Sequence, residues 1–154
     1  MNSQLFRRKN TIFTALIFLN SKRTKENYTT MTITIKKVTT KKELKKFIRF
    51  NYELYKDNPY SVPDLYDDML NTFNPKKNPA FEFCEAEYFL AYKGEEIVGR
   101  VAAIINHRAN DTWNKKEVRF GWLDFIDEEE VSSALLKAVE QWGKEKGFTP
   151  PRKI

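Results

Sequence analysis

The stretch Ala86–Arg108, AEYFLAYKGEEIVGRVAAIINHR, is predicted to form the centre of the fold. Two apolar runs rich in Tyr, Phe, Val and Ile flank the polar turn Lys93-Gly94-Glu95-Glu96, a pattern typical of an antiparallel hairpin. Neither run alternates cleanly between apolar and polar residues, so we expect both faces of the hairpin to be covered. The helices that cover them must come from elsewhere in the chain.

One strand and two helices are predicted before the hairpin. Residues 32–38 alternate as a short strand. Thr40 is predicted to cap the next helix, with Glu43 completing a capping box. The buried stripe of that helix is Leu44, Phe47, Ile48, Tyr52 and Tyr55. Asn58-Pro59 ends it, and a second short helix runs from about residue 62 to Asn74-Pro75.

A third core strand and a final helix follow the hairpin. The strand is predicted at 118–126, and Gly121 within it indicates a bulge or a close backbone approach. Asp127 is predicted as the N-cap of the helix, with Glu130 in a capping box, and Gly147 as its C′ residue. The order β-α-α-β-β-β-α predicts an α+β class with a mostly antiparallel sheet and flanking helices.

The charge of the chain is concentrated at its start. The net charge is +6, but residues 1–30 hold six basic residues against one acid, and the remaining residues hold 21 basic against 20 acidic. The nearly neutral remainder argues against a nucleic-acid-binding protein. The single cysteine, Cys84, excludes an internal disulfide, no residues are spaced as a metal site, and we expect a cytoplasmic protein.

Residues 1–30 are interpreted as an unstructured basic extension, with Met31 as the natural start. Their apolar run, residues 12–19, is too short to span a bilayer, and no cleavage pattern follows it. An organellar transit peptide or a basic amphipathic membrane anchor remains an alternative. We expect no transmembrane segment.

The element order and three segments together resemble the GNAT superfamily of N-acetyltransferases. The segments are YELYKDNPYSVPDL, then NPKKNPAFEFCEAEYFLAYKGEEIVGRVAAIINHRAN, then FGWLDFIDEEEVSSALLKAVEQWGKEKG. They are similar to the N-terminal half of long bacterial GNAT-like proteins, over about residues 33–148. The resemblance implies a partial GNAT-like (acyl-CoA N-acyltransferase) domain at 31–148.

This resemblance implies acyl transfer from acetyl-CoA or another acyl-CoA to an amine-bearing acceptor. The family holds acyl-CoA where the fourth and fifth strands splay apart, and backbone groups of the fourth strand hold the pantetheine arm. Here those groups would belong to Leu123, Phe125 and Ile126. The loop into the next helix would offer its N–H groups to the pyrophosphate. No catalytic residue is assigned.

Two features depart from the family pattern. The loop reads Phe125-Ile126-Asp127-Glu128-Glu129-Glu130, with no glycine and four carboxylates. Acids there stabilise the helix by ~0.3–1 kcal/mol each but oppose a bound phosphate. In place of a fifth strand stands Pro150-Pro151 in a predicted irregular tail, 149–154.

From these departures we expect a truncated, inactive domain whose fourth strand is an unprotected edge open to self-association. Two alternatives stay open. One is a non-catalytic GNAT-like binding module. The other is a protein that associates with membranes through its basic N-terminal segment.

Other candidate residues have structural interpretations. His107, the one histidine, lacks an acidic orienter near it in sequence and is read as an exposed strand-end residue rather than a general base. Cys84 is read as a structural thiol rather than a nucleophile. Arg100, inside an apolar strand, needs a partner, and Glu85 or Glu87 across the hairpin could supply it.

Overall fold

The computed structural model describes residues 32–150, so the predictions for residues 1–31 and 151–154 lie outside it. The elements in chain order are β1 Ile33–Lys37, α1 Lys41–Leu54, α2 Tyr66–Thr72, a 3₁₀ turn Pro79–Glu82, β2 Cys84–Lys93, β3 Glu96–Asn106, α3 His107–Thr112, β4 Arg119–Phe125 and α4 Glu129–Glu145. The predicted α+β order is confirmed. The 3₁₀ turn and α3 were not predicted; α3 begins the polar connection between β3 and β4.

The four strands form one antiparallel sheet in the order β1-β2-β3-β4. The hairpin pairs Cys84 with Asn106 at one end and Lys93 with Glu96 at the other. Gly94 occupies the turn with φ 63°, a left-handed conformation that glycine adopts without steric cost. The hairpin predicted from Ala86–Arg108 is therefore the centre of the sheet.

Both faces of the sheet are buried. On one face, the strand residues Phe89, Ala91, Val101, Ala103 and Ile105 pack against Val131, Leu135 and Val139 of α4. On the other face, beneath α1 and α2, the buried residues are Phe47, Ile48, Met69, Phe73, Leu90, Tyr92 and Ala102. In β2, and in β3 from Gly99 onward, odd and even positions go to opposite faces, which explains why neither run alternates between apolar and polar residues.

The capping box at the start of α1 is confirmed. Glu43 N–H donates to Thr40 Oγ1 at 3.1 Å, and Thr40 N–H donates to Glu43 Oε2 at 2.9 Å. Thr39 N–H also donates to Glu43 Oε2, at 2.8 Å. These bonds to the charged form, above all the backbone bond from Thr39, lower the pKa of Glu43 to about 2.

The predicted start of α4 is wrong by one residue. Its N-cap is Glu128, not Asp127, and no side chain caps it, so the capping box with Glu130 is absent. The reason is that strand pairing continues past β4. Ile126 N–H donates to Val98 O at 3.0 Å, and Glu128 N–H donates to Ile126 O at 2.6 Å, which tightens the turn and delays the helix.

The end of α4 follows the prediction at Gly147 and departs from it at Thr149. Gly147 has φ 80°, and Phe148 N–H donates to Gly143 O at 2.8 Å, as in a Schellman motif. Thr149, expected in an irregular tail, pairs in parallel with Glu117, two residues before β4. The proline pair begins one residue later, so the Thr149 N–H is still free to donate to Lys116 O, at 2.7 Å.

Gly99 allows α4 to pack closely on β3. A Cβ added there would lie 2.8 Å from Leu135 Cδ1 and 2.9 Å from Val131 Cγ1, whereas one added at Gly121 would have its nearest contact at 3.5 Å. We predict that Gly99→Ala lowers the free energy of unfolding by ~1–3 kcal/mol. Gly121→Ala, the same change in the next strand, is the control and should cost less than about 0.5 kcal/mol. Urea denaturation of both full-length variants measures this, and equal losses would contradict the packing.

The capping box also predicts a pH dependence. The folded pKa of Glu43 lies below its ordinary value of 4.5, so its contribution to stability is complete above 4.5 and is lost as the pH falls towards about 2. Glu43→Gln lacks that contribution. The difference in unfolding free energy between the unchanged chain and Glu43→Gln should therefore shrink between about pH 5 and pH 2. A difference that stays constant over this range would refute the effect.

Candidate functional site

Strand β4 contains a bulge next to Gly121. Ala102 stands opposite Gly121 and Arg100 stands opposite Asp124, so Val101 alone faces Trp122 and Leu123. Trp122 has φ 48°, a left-handed conformation that costs a bulky residue ~1–3 kcal/mol. The bulge that Gly121 indicated is present, but the residue in the left-handed conformation is Trp122 and not the glycine. Strain of this kind is concentrated at functional sites in proteins.

One edge of β4 is open. Beyond the bridge between Glu117 and Thr149, β4 pairs only with β3 among residues 32–150. Leu123 and Phe125 contact the core under α4. The N–H of Ile126 donates to Val98 O and is engaged within the sheet, and the pantetheine contacts of Leu123, Phe125 and Ile126 stay a prediction.

The turn from β4 into α4 carries the four carboxylates noted in the sequence. Glu128 is bound by Lys93, whose Nζ lies 2.9 Å from both carboxylate oxygens. Asp127, Glu129 and Glu130 are exposed. Since no side chain caps α4, its first N–H groups are not satisfied by a cap. The turn thus combines helix N–H groups that favour an anion with carboxylates that oppose one.

Arg100 is buried, with 2% of its surface exposed, and Asp124 is its ionic partner. Its Nε and Nη2 lie 2.8 and 2.7 Å from Asp124 Oδ2. Its Nη1 donates to Phe47 O at 2.8 Å. The predicted partners Glu85 and Glu87 are wrong because the hairpin register puts them opposite Ile105 and Ala103, whereas Asp124 stands directly opposite Arg100 on β4.

Tyr55, the residue that follows α1, connects this ion pair to a pocket of about 360 Å³, and Tyr52 of α1 lines the same pocket. Tyr55 O–H donates to Asp124 Oδ1 at 3.2 Å, and Tyr52 O–H donates to Asp64 O at 3.0 Å. Burial raises the pKa of both phenols, so both stay neutral at physiological pH. Tyr66 also lines the pocket, and its buried hydroxyl has no hydrogen-bond partner within residues 32–150.

A second, apolar cleft of about 200 Å³ lies beside Trp122. Phe73, Phe81, Tyr88 and Cys84 line it with the tryptophan. Burial raises the pKa of the Cys84 thiol, which favours the structural reading of this cysteine over a nucleophile. The bulge at Trp122 therefore borders an apolar space on the α2 side of the sheet.

His107 has an acidic partner that was not apparent from its neighbours in sequence. Its Nε2 lies 2.9 Å from Glu85 Oε1, and Lys146 Nζ lies 2.7 Å from Glu85 Oε2. Hydrogen bonds from Lys146 and then His107 lower the pKa of Glu85. The hairpin register could have indicated this contact, since Cys84 pairs with Asn106. Glu85, His107 and Lys146 lie away from the bulge. Glu85 stands opposite Ile105, which is four residues along β3 from Val101, the residue opposite the bulge, so the separation is about 13 Å.

The part of the chain that the structure describes contains neither a candidate metal site nor a membrane-spanning helix. Within residues 32–150 no group of three or more His, Cys, Asp or Glu side chains could hold a metal ion. None of the helices described there has the length and apolarity needed to cross a bilayer.

Solved structures with a similar fold are acetyltransferases. A tandem GNAT protein from the clavulanic acid biosynthesis pathway matches 74% of this chain and 34% of its own, with a TM-score of 0.55 and 14% identity. A GNAT-family acetyltransferase from Staphylococcus aureus matches 75% of this chain and 68% of its own, with a TM-score of 0.51 and 15% identity. An aminoglycoside acetyltransferase from a soil metagenome, solved with sisomicin, has a TM-score of 0.50 and 19% identity over 75% of this chain and 72% of its own.

Two curated proteins are similar in sequence. Protein YghO of Escherichia coli is 36% identical over 107 residues, which is 70% of this chain and 27% of that protein. A bacterial ceramide synthase of Caulobacter vibrioides is 32% identical over 113 residues, 73% of this chain and 29% of that protein. The chain thus spans less than a third of the length of these relatives. No protein-family model matches it.

The Arg100–Asp124 pair generates a stability prediction. Asp124→Ala leaves a buried guanidinium without its counter-ion and should lower the free energy of unfolding by ~3–5 kcal/mol. The control, Glu128→Ala, breaks the pair with Lys93, in which both side chains are about a third exposed, and should cost no more than about 1 kcal/mol. Urea denaturation compares the two, and similar losses would show that Arg100 does not depend on Asp124.

Proposed function

We propose, from the premise that this chain has the fold of the GNAT acetyltransferases, that it binds an acyl-CoA at β4 and takes part in transferring the acyl group to an amine. The observation that carries the proposal is the strained bulge at Trp122 on a strand with one open edge. An acyl-CoA supplies an acyl group activated as a thioester. The rest of the chemistry depends on residues of the protein.

The donor site in this proposal is the open edge of β4. Backbone groups of Leu123 and Phe125 hold the pantetheine arm as an added strand would be held. At the bulge the chain turns out of regular pairing, which frees backbone groups next to Trp122 from the ladder with β3. An N–H there is suited to bind the thioester oxygen where negative charge develops. The apolar cleft beside Trp122 accommodates a short acyl group.

The acceptor site in this proposal is the pocket under the segment between α1 and α2. Asp124 lies on β4 two residues after Trp122, and Tyr55 links it to the pocket wall. A carboxylate that a phenol and a guanidinium hold in place can bind the ammonium form of an amine. That nitrogen loses a proton to solvent before it attacks the thioester carbon, and the C–N bond then forms as the C–S bond breaks and CoA leaves as the thiol. The side chains that position the acceptor are therefore Tyr52, Tyr55 and Asp124, and we assign no proton transfer to them.

The acceptor we propose is an amphiphilic amine. One curated relative is named a ceramide synthase, and a ceramide is the amide that joins a fatty acyl group to the nitrogen of a long-chain amine. The acceptor pocket suits an amine with an apolar body, because three tyrosines form much of its wall. The cytoplasm, where acyl-CoA is made, is the compartment that this proposal requires.

The nucleotide end of acyl-CoA fits this chain less well than the thioester end. The uncapped N-terminus of α4 attracts a pyrophosphate, while Asp127, Glu129 and Glu130 repel it. This observation favours a second candidate, a GNAT-like module that binds a partner without acyl transfer. The open edge of β4 would then serve as the interface, including self-association.

Calorimetry separates the two candidates. Titrating the full chain with acetyl-CoA and with a long-chain acyl-CoA should give saturable heats and a raised melting temperature if the proposal holds. ATP, which carries phosphates and adenine without a pantetheine arm, is the control and should bind at least tenfold more weakly. Absence of heat and of any thermal shift at millimolar acyl-CoA would leave the non-catalytic module.

The acidic turn predicts a gain of binding. Glu129→Gln with Glu130→Gln removes two charges beside the predicted pyrophosphate position and should tighten acyl-CoA binding about threefold to thirtyfold, at ~0.3–1 kcal/mol per charge. Glu140→Gln with Glu145→Gln removes two charges from the far half of the same helix and should change the Kd less than twofold. Equal effects of the two variants would place the pyrophosphate elsewhere.

A further inference from the structure

The outer face of α1 carries a strip of basic side chains. Its members, all exposed, are Lys41, Lys42, Lys45, Lys46 and Arg49. At about 100° per residue they occupy one arc of the helix, of about 140°. The buried residues of α1, Phe47, Ile48 and Phe50, occupy the rest of its circumference. We call these five side chains the basic strip.

The basic strip is unfavourable for the isolated helix. Lys41 and Lys45, and Lys42 and Lys46, are four residues apart, and like charges at that spacing repel each other. Within residues 32–150, none of these four lysines forms an ion pair. An anionic surface outside α1 would offset this repulsion.

An exposed apolar segment adjoins the basic strip. Tyr60 and Val62 are each 91% exposed and Leu65 is 72% exposed, in the segment that joins α1 to α2. The segment is tied back to α1 by the bond from Tyr52 to Asp64 O, at 3.0 Å. Arg49 of the strip lies 5.7 Å from the ring centroid of Tyr66, the residue after Leu65. The exposed apolar side chains thus lie near the C-terminal end of α1, next to Arg49 of the basic strip.

A groove of about 830 Å³ continues the positive charge at the other end of the strip. Lys41 and Lys45 line one side of it, Lys76 and Lys77 line another, and Leu44 and Phe73 contribute apolar surface. Asp67 is the acid among its lining residues. The groove therefore combines lysines that can bind an anion with apolar side chains that can contact a hydrocarbon group.

The opposite layer of the protein has the opposite charge. Residues 127–146, which include α4, hold six acidic side chains against three lysines, whereas residues 41–78, which include α1, the adjoining segment and α2, hold eight basic side chains against six acidic. The two helices cover opposite faces of the sheet. A negatively charged plane would attract the α1 side and repel the α4 side, and so would orient the molecule.

We propose that the outer face of α1 and the adjoining segment dock on an anionic lipid bilayer. The basic strip contacts headgroup phosphates, and Tyr60, Val62 and Leu65 enter the interface between headgroups and acyl chains. This deepens the proposed function and rests on it in one respect, namely that the acceptor is a membrane amphiphile. The acceptor pocket lies beneath the docked segment, so an amine can reach it from the bilayer.

Vesicle sedimentation of the full chain tests the docking without acyl-CoA. The chain should bind phosphatidylglycerol–phosphatidylcholine vesicles and not vesicles of phosphatidylcholine alone, and high salt should weaken the binding. Lys42→Gln with Lys46→Gln should reduce the partition coefficient about thirtyfold. Lys137→Gln with Lys144→Gln, two lysines of α4, is the matched control and should change it less than twofold.

The basic N-terminal segment is the competing membrane contact. Arg7→Gln, Arg8→Gln and Lys9→Gln together should leave most vesicle binding intact if α1 docks. Loss of binding in that variant with binding retained in Lys42→Gln/Lys46→Gln would overturn the inference, as would equal binding to neutral vesicles or none to anionic ones. Tyr60→Ser with Val62→Ser should weaken binding even in high salt, since its contribution is apolar. Acyl-CoA binding is measured without vesicles, so the two proposals fail independently.

Discussion

The buried charge of Arg100 is the constraint on which the rest of the structure depends. A guanidinium inside a protein must be paired, and this one is shared among three elements: β3 carries it, β4 supplies Asp124 and α1 supplies the carbonyl of Phe47. With Asp124 fixed opposite Arg100 and Gly121 opposite Ala102, the extra residue of β4 can fall only at Trp122 and Leu123. The ion pair therefore sets one limit of the bulge, and the pairing of Gly121 with Ala102 sets the other.

The bulge in turn defines the surroundings of the proposed site. Trp122 is held in a left-handed conformation and borders the apolar cleft next to Cys84, while Asp124 accepts a hydrogen bond from Tyr55 at the end of α1. A donor on the open edge of β4 and an acceptor under the α1–α2 segment would then approach the same two or three residues from different sides. The basic strip on α1 adds a reason for an amphiphile to arrive on the acceptor side.

Local patterns predicted the elements well and their long-range partners poorly. The hairpin turn, the capping box at Thr40 and the Gly147 terminus each depend on residues within four positions of one another, so the local sequence contained the whole cause. The partner of Arg100, the contact between Glu85 and His107 and the start of α4 depend on strand register. Register is shifted by bulges near Ala91 and Trp122 that no local pattern located to the residue. The bridge at Thr149 was not predicted because the irregular tail was predicted to begin at residue 149, whereas strand pairing continues through Thr149 and stops at Pro150.

Amide hydrogen exchange with and without a long-chain acyl-CoA tests the central claim, which is that the open edge of β4 holds the acyl donor. Bound acyl-CoA should slow exchange in peptides covering residues 121–126 and leave those covering β1, on the opposite edge of the sheet, unchanged. Slowed exchange at β1 or along α1 in place of β4, or no change in any peptide at saturating ligand, would contradict the account.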